Sequence, residues 1–322
     1  MVTDYNDHKT VVALLKTDQE PEHDNREKVR AAHYFVEKDD GQWDPRLASA
    51  LGDRPKYTFD LTNPIIDQIA GEMDRADFDI RVRPSGGEAT KETARIYDGI
   101  IRNIENISGA KHVYQAAGRD MVVSGIGGWE VYTDWVDGDA FDQDLMIKPI
   151  SDFANRVWFD SGAEEQDMSD AKHVFVLQNI LEGEYKDRWP DGSMESIGSD
   201  KSYDAYCYKP EFVTVARILY KKKASKTLVL MTNGAVYEKN EDFKKIQDEL
   251  VEAGVTVKRE RERAGFKVCS RLFDGGGFLG EVVETVFKEL PIIPTFANYR
   301  VSDGKVIYRG VVERLMDAQR SF

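Results

Sequence analysis

The chain changes character once, at Gly127-Gly128, and that change limits what it can fold into. Before the pair, apolar residues recur at helical spacing; after it, they alternate. Residues 22–39 read as a helix with Val29, Ala32, His33 and Val36 on one face, closed by Gly41. Residues 1–20 read as loosely ordered, with Trp43 and Leu47 in a loop before Pro55. This arm has few large apolar side chains and is expected to need a neighbour to pack on. A second helix over 62–75 has Pro64 in its first turn and a stripe of Ile65, Ile66, Ile69 and Met73. Residues 78–83 alternate and predict a half-exposed strand ending at Pro84. Helices over 89–107 and 111–124, split at Ser108-Gly109, are expected to turn Ile96, Ile100, Ile104, Val113, Met121 and Val122 toward one core.

Beyond Gly128 the pattern is strand-like. Strands are expected at 129–135, 145–150, 157–159, 173–178, 212–220 and 228–231, with a short helix at 181–189 and a long polar loop at 195–206. Asn233-Gly234 is a hairpin signal before Ala235-Val236-Tyr237. A helix over 243–253 stops at Gly254, and 255–263 with 266–273 read as a charged strand pair. The last stretch is strand, turn (Ser302-Asp303-Gly304-Lys305), strand and helix. That helix carries Val311, Val312, Leu315, Met316 and Phe322 on one stripe and lacks a stop signal. The fold class is therefore α+β, with helices gathered first and a mainly antiparallel sheet after them. The division expected is an N-terminal arm and helix over 1–54 and a larger α+β unit over 55–322.

Composition excludes some classes. Of 322 residues, 41% are hydrophobic, as in a globular chain. Lys plus Arg is 44 against 58 Asp plus Glu, a formal charge of −14, which argues against a general nucleic-acid binder. Cys207 and Cys269 lie far apart and suit a reducing compartment rather than a disulfide framework. The apolar patch at 11–15 is too short, and too acidic at its front, for a signal peptide. The expectation is synthesis in the cytoplasm.

No catalytic motif keeps its required order or spacing. Gly275-Gly276-Gly277-Phe278-Leu279-Gly280 has the dinucleotide spacing, with Asp303 downstream, but the strand before it has one wet face. A turn between antiparallel strands is the better reading. Ser124-Gly125-Ile126-Gly127-Gly128 follows a helix where a phosphate loop would precede one, and it reads as a helix C-cap. Asp160, Glu164, Glu165, Asp167 and Asp170 form an acidic loop that could hold a hard cation, though its spacing is not an EF-hand's. Asp142, Asp144 and Lys148 make a weak nuclease-like set. His8, His23, His33, His112 and His173 show no ligand spacing, and the last of these with His112 are expected in packed surroundings. Lys221-Lys222-Lys223 is a basic run. The alternating Lys258-Arg259-Glu260-Arg261-Glu262-Arg263 suits a solvated edge or ion pairing between subunits. No catalytic, cofactor-binding or metal residue is assigned.

Several segments resemble the portal proteins of short-tailed bacteriophages of the Salmonella podovirus type. They are Val157-Trp158-Phe159-Asp160-Ser161 with 168–173, Gly125 to Trp129, residues 61–73, and above all 292–296, 303–305, 308–312 and 317–322. The resemblance implies a wing-like α+β fold and a structural, non-enzymatic role as a ring subunit at one capsid vertex. It implies a terminase, scaffolding and capsid proteins and a tail adaptor as partners, with DNA passing through the ring without specific binding. It places the chain in the virion, after assembly in the host cytoplasm, and implies no cofactor and no membrane. The family's chain continues into stem, clip and crown, so the sequence ends where the stem would begin. An isolated chain is then expected to be a monomer or a weak oligomer with an exposed final stripe. Two other readings stand beside it: a metal-dependent nuclease using the acidic loop over 160–170, and a stand-alone prophage interaction protein.

Overall fold

A helix of 30 residues, α1 (His8–Glu37), contributes to three of the hydrophobic clusters and joins the helical part to both sheets. The computed structural model describes residues 4–38, 41–52, 54–55, 57–76, 80–85, 90–197, 211–240, 243, 246–247, 250–251 and 254–321. The arm expected to be loose is the first half of α1. The Asp7 side chain caps it by accepting from the Thr10 amide, and the helix continues through Pro21. Helicity here comes from packing rather than propensity. Val11 and Leu15 bury against the large sheet, Val29 enters the central core, and Ala32 with Phe35 meets the other helices.

Ala32 and Phe35 meet α3 (Thr62–Arg75), α5 (Ala110–Ser124) and the final helix; α2 (Pro45–Leu51) and α4 (Lys91–Ser108) complete the helical part, and Leu47 therefore sits in a helix rather than a loop. Gly109 adopts a left-handed φ of 58° between α4 and α5, so the chain reverses there. Ile66 is fully buried in α3 beside partly buried Ile69 and Met73, whereas Ile65 faces solvent. The α4 stripe also departs from expectation. Ile96 is 60% exposed, and Ile100 and Ile107 are exposed too, because α4 lies at the margin of β2 rather than between layers. Residues 80–85 pair with no strand; the Val82 amide is held by the Asp98 carboxylate on α4 instead. The rest of the strand expected there, 78–79, lies outside the described residues.

The sheet region begins with β1 (Ile126–Trp135), β2 (Gln143–Pro149), α6 (Phe153–Arg156), β3 (Val157–Phe159), β4 (His173–Leu181) and α7 (Glu182–Arg188). It continues with β5 (Phe212–Met231), β6 (Val236–Glu238), β7 (Val257–Phe273), β8 (Val283–Glu284) and β9 (Ile292–Phe296). The hairpin β10 (Arg300–Ser302) and β11 (Lys305–Ile307) then leads to α8 (Val312–Arg320). One antiparallel sheet has the order β2-β1-β9; the larger has β3-β4-β5-β7-β8, with β6 on β5. The α+β class with helices leading is what the structure shows.

Two strand readings change. Residues 212–220 and 228–231 are one 20-residue strand, with the lysine run inside it. Residues 257–273 are likewise one strand, paired with β5 from Ala216↔Phe273 to Met231↔Val257 rather than folded on themselves. The charged middle stays in the ladder because its long charged side chains reach water while the backbone groups pair in register with β5. Within 243–253, Phe243, Ile246, Gln247, Leu250 and Val251 are helical and the others lie outside the described residues.

The final helix is closed differently from expectation. Val312 is 0% exposed, packed with Phe35, Ile66, Val122 and Val123, and partly buried Val311 and Met316 complete that cluster. Val311, Val312 and Met316 of the stripe are therefore covered by the chain's own helices, while Phe322 lies outside the described residues. Gly310 makes this possible, since a Cβ there would lie 2.1 Å from the Val123 carbonyl oxygen.

Candidate functional site

Each motif singled out in the sequence has a position that explains it locally. Gly125 takes a φ of 92° and donates to the Met121 carbonyl, the helix C-cap expected; a Cβ there would strike the Arg309–Gly310 backbone at 2.7 Å. The glycine run after β7 is an antiparallel turn with a Phe273↔Phe278 bridge. Fully buried Asp274 organises it. Its carboxylate accepts from the Tyr185 hydroxyl, the Ser193 hydroxyl at 2.8 Å and the amides of Gly276 and Gly277 at 2.9 and 2.7 Å. These donors hold its pKa below the usual carboxylate range against the opposing effect of burial. A carboxylate fills the place a phosphate would take, and Asp303 sits in the distant β10–β11 turn.

The acidic loop spends its carboxylates on its own backbone. Asp170 accepts from the amides of Glu164 and Glu165, and Asp167 from Ser169 at 3.0 Å. Met168, at φ 56°, and Ala171 tuck under the loop into the core. Asp160 turns toward two residues that the sequence did not connect with it. Asp18 on α1, Asp160 and His173 at the start of β4 offer ligand atoms within 4.8 Å of one another. Asp18 is 1% and His173 3% exposed. His173 Nε2 lies 2.7 Å from Asp18 Oδ2, while Asp18 Oδ1 accepts from Ser161 N at 2.9 Å. Asp160 accepts from Gly162 N at 3.0 Å and Lys172 N at 3.2 Å. Every carboxylate oxygen of the group thus has a donor, and the cluster works as a clasp between α1 and the large sheet. His112, expected in packed surroundings, is exposed on α5.

A second polar knot on α1 was also illegible in sequence. Buried Arg26 donates to the carbonyls of Ala154 and Val157, and its guanidinium lies 4.6 Å from the Trp158 ring centroid. Tyr308 donates to Glu22, one helical turn before Arg26, at 2.7 Å. Asp120 on α5 faces Asp152, Glu37 and His33, and burial raises its pKa to about 6.

The nuclease-like set is not assembled. Asp142 and Asp144 lie near the exposed tip of the β1–β2 hairpin, while Lys148 pairs with Glu130 at 3.3 Å. Glu130 is buried and also bound by Arg217 at 2.6 Å, which ties the two sheets together. That hairpin carries Asp134, Asp137, Asp139, Asp142 and Asp144, all exposed, around a Phe141 that is 96% exposed. Asp134 stands directly opposite Asp144.

The other charged feature is the far half of the β5–β7 ladder. Alternation sorts the mixed run by sign. Arg259, Arg261 and Arg263 share the face of their cross-strand partners Leu230, Leu228 and Lys226; Glu260 and Glu262 take the other face. Lys226 is paired with Glu238 at 2.7 Å and Lys267, further along the arginine face, with Glu284 at 2.7 Å. The three arginines are exposed and meet no ion-pair or hydrogen-bond partner among the described residues.

Among the described residues, then, the polar clusters hold elements together and the unsatisfied charge lies on the surface. The chain belongs to the family of Phage P22-like portal proteins, whose family model matches residues 13–322. It is similar to the "Portal protein" of Acyrthosiphon pisum secondary endosymbiont phage 1, at 25% identity over 98% of this chain and 46% of that protein. The chain spans about half the length of the curated relative it matches.

Proposed function

We propose that this chain is the wing-bearing part of a portal subunit, one of the identical subunits of a ring at a capsid vertex. The carrying observation is the ordered family match over 13–322. The α+β fold, helices first and antiparallel sheets after, supports it. The role is structural: DNA passes through the ring without specific binding, consistent with a formal charge of −14. Scaffolding and capsid proteins, a terminase and a tail adaptor are the partners the reading assigns, and the virion its final place. Residues 55–322 form the wing-like unit and 1–54 its N-terminal arm. Asp160 and Asp170, bound to backbone amides, have no catalytic part, and no cofactor is required.

The test is a chimaera in which this chain replaces the matched portion of the phage relative's portal protein. Closed, uniform rings in electron micrographs are expected. A chimaera that folds yet stays monomeric, while the parent closes, overturns the reading. Magnesium-dependent DNA cleavage lost with Asp160→Ala and Asp170→Ala would instead favour the nuclease reading.

A further inference from the structure

We propose that the arginine face of the β5–β7 ribbon docks the aspartate-rich β1–β2 hairpin of a second copy of this chain. The inference rests on the portal-ring reading for the number of subunits but names its own contact. Closed rings of identical subunits need two different surface patches that fit each other, repeated head to tail. This chain carries such a pair. One patch is Arg259, Arg261 and Arg263, spaced two residues apart and therefore spread over roughly 13 Å of strand. The other is Asp134, Asp137, Asp139, Asp142 and Asp144, on a hairpin of comparable reach.

Three observations select each other as partners. The patches are opposite in sign. Neither meets the other within the chain: among the described residues no arginine of the ribbon pairs with an aspartate of the hairpin. The hairpin also carries a cost on its own, because Asp134 and Asp144 are directly opposed, and like charges so placed destabilise a strand pair. A row of guanidiniums relieves that repulsion. Apolar surface accompanies the charge on both sides. Trp135, Val136 and Phe141 are exposed on the hairpin, while Val236 stands exposed opposite Leu230 on the ribbon face. Arginine and aromatic rings are side chains that protein interfaces favour, and guanidinium–carboxylate pairs add direction to such a contact. A nucleic-acid backbone suits the ribbon less well, since it offers phosphates without the exposed aromatic rings that Trp135 and Phe141 set beside the hairpin's carboxylates.

Two variants of the 322-residue chain test the contact. One is Arg259→Glu/Arg261→Glu/Arg263→Glu; the other is Asp137→Lys/Asp142→Lys/Asp144→Lys. Sedimentation at low salt should show the unaltered chain self-associating, and each variant alone weakened by about tenfold or more. An equimolar mixture of the two should regain association, because reversed ribbons then meet reversed hairpins. The neutral set, Arg→Gln with Asp→Asn at the same positions, should weaken association without the rescue and covers any misfolding of the reversals. The proposal is overturned if the unaltered chain stays monomeric at low salt, or if the reversals associate as it does. It also fails if ribbon reversal removes salt-sensitive binding to duplex DNA while leaving self-association intact. Chimaeric rings that close regardless of these charges would sink this contact and leave the portal reading standing. Charge-dependent pairing without ring closure would do the reverse.

Discussion

The two halves of the β5–β7 ladder share one backbone register from Ala216↔Phe273 to Leu230↔Arg259, shifted only at Met231↔Val257, and live in different solvents. In the near half, Phe175 on the neighbouring β4 packs with Ile218, Tyr220, Cys269 and Phe273, and α1 lays Val11 and Leu15 over them. Beyond Tyr220 that cover ends. The same face then carries Lys222, Lys226 and the three arginines, while Val229 and Met231 still bury on the other side, with Phe243. Hydrogen bonding along a ladder thus says little about where stability resides. What differs is the second layer: covered on both faces, the near half is core; covered on one, the far half is a presented surface.

That contrast can be broken most directly in the near half. Phe175→Ala should cost about 3–5 kcal/mol, because a fully buried ring leaves a cavity under α1. Urea unfolding checks it, and a cost below about 1 kcal/mol would show that this half is not the stabilising one. Next in size is the clasp. Asp18→Ala strips the acceptor from buried His173 and from the Ser161 amide, and should cost about 2–3 kcal/mol in the same measurement. A loss of less than 0.5 kcal/mol would mean that α1 is held by apolar contact alone.

A partly buried acid beside α1 should sharpen the comparison through pH. The pKa of Asp120 is about 6 in the folded chain against an ordinary 3.8, so the folded state holds its proton more tightly than the unfolded one. Its contribution is favourable below about pH 4, declines as pH rises toward 6, and is fully unfavourable above that. Asp120→Asn should therefore raise stability at pH 7 by about 1–3 kcal/mol and flatten the profile between pH 4 and 6. Thermal melts across that range decide it; an unchanged profile would show that water reaches the seam. The smallest effect belongs to the ribbon. Arg261→Ala should move stability by no more than about 0.5 kcal/mol, since its side chain is exposed. A larger loss would show the far half to be part of the fold's support.

Helices α3, α4 and α5 were legible because each shows its own stripe and its own punctuation: Pro64 in the first turn of one, Gly109 between two, and Gly125 after the last; α2 and the first half of α1 were not, since they carry few large apolar side chains. What the stripes could not reveal is which neighbour each one meets. Ile96 and Ile100 repeat as regularly as Ile66 and Ile69 do, yet α4 lies at the margin of β2 while α3 sets Ile66 and Ile69 against α1 and α5. The joined strands were missed for a related reason. Charged residues such as Lys221 to Lys223 lower strand preference locally, but a partner strand in register outweighs it. The clasp and the Arg26 knot had no signal at all, since their members lie 155 residues apart in one case and 128 in the other.

Local chemistry in the sequence alone determined the fold class, the turns, the surplus of acid and the alternation that sorts arginine from glutamate along β7. Periodicity and turn geometry act over a few residues, so they can be read without a partner. Only the tertiary structure decided which apolar faces became core, that α1 spans every layer, and that the final helix is covered by the chain's own Phe35, Ile66 and Val122. Burial is a property of pairs of surfaces, and a one-dimensional pattern names only one surface at a time.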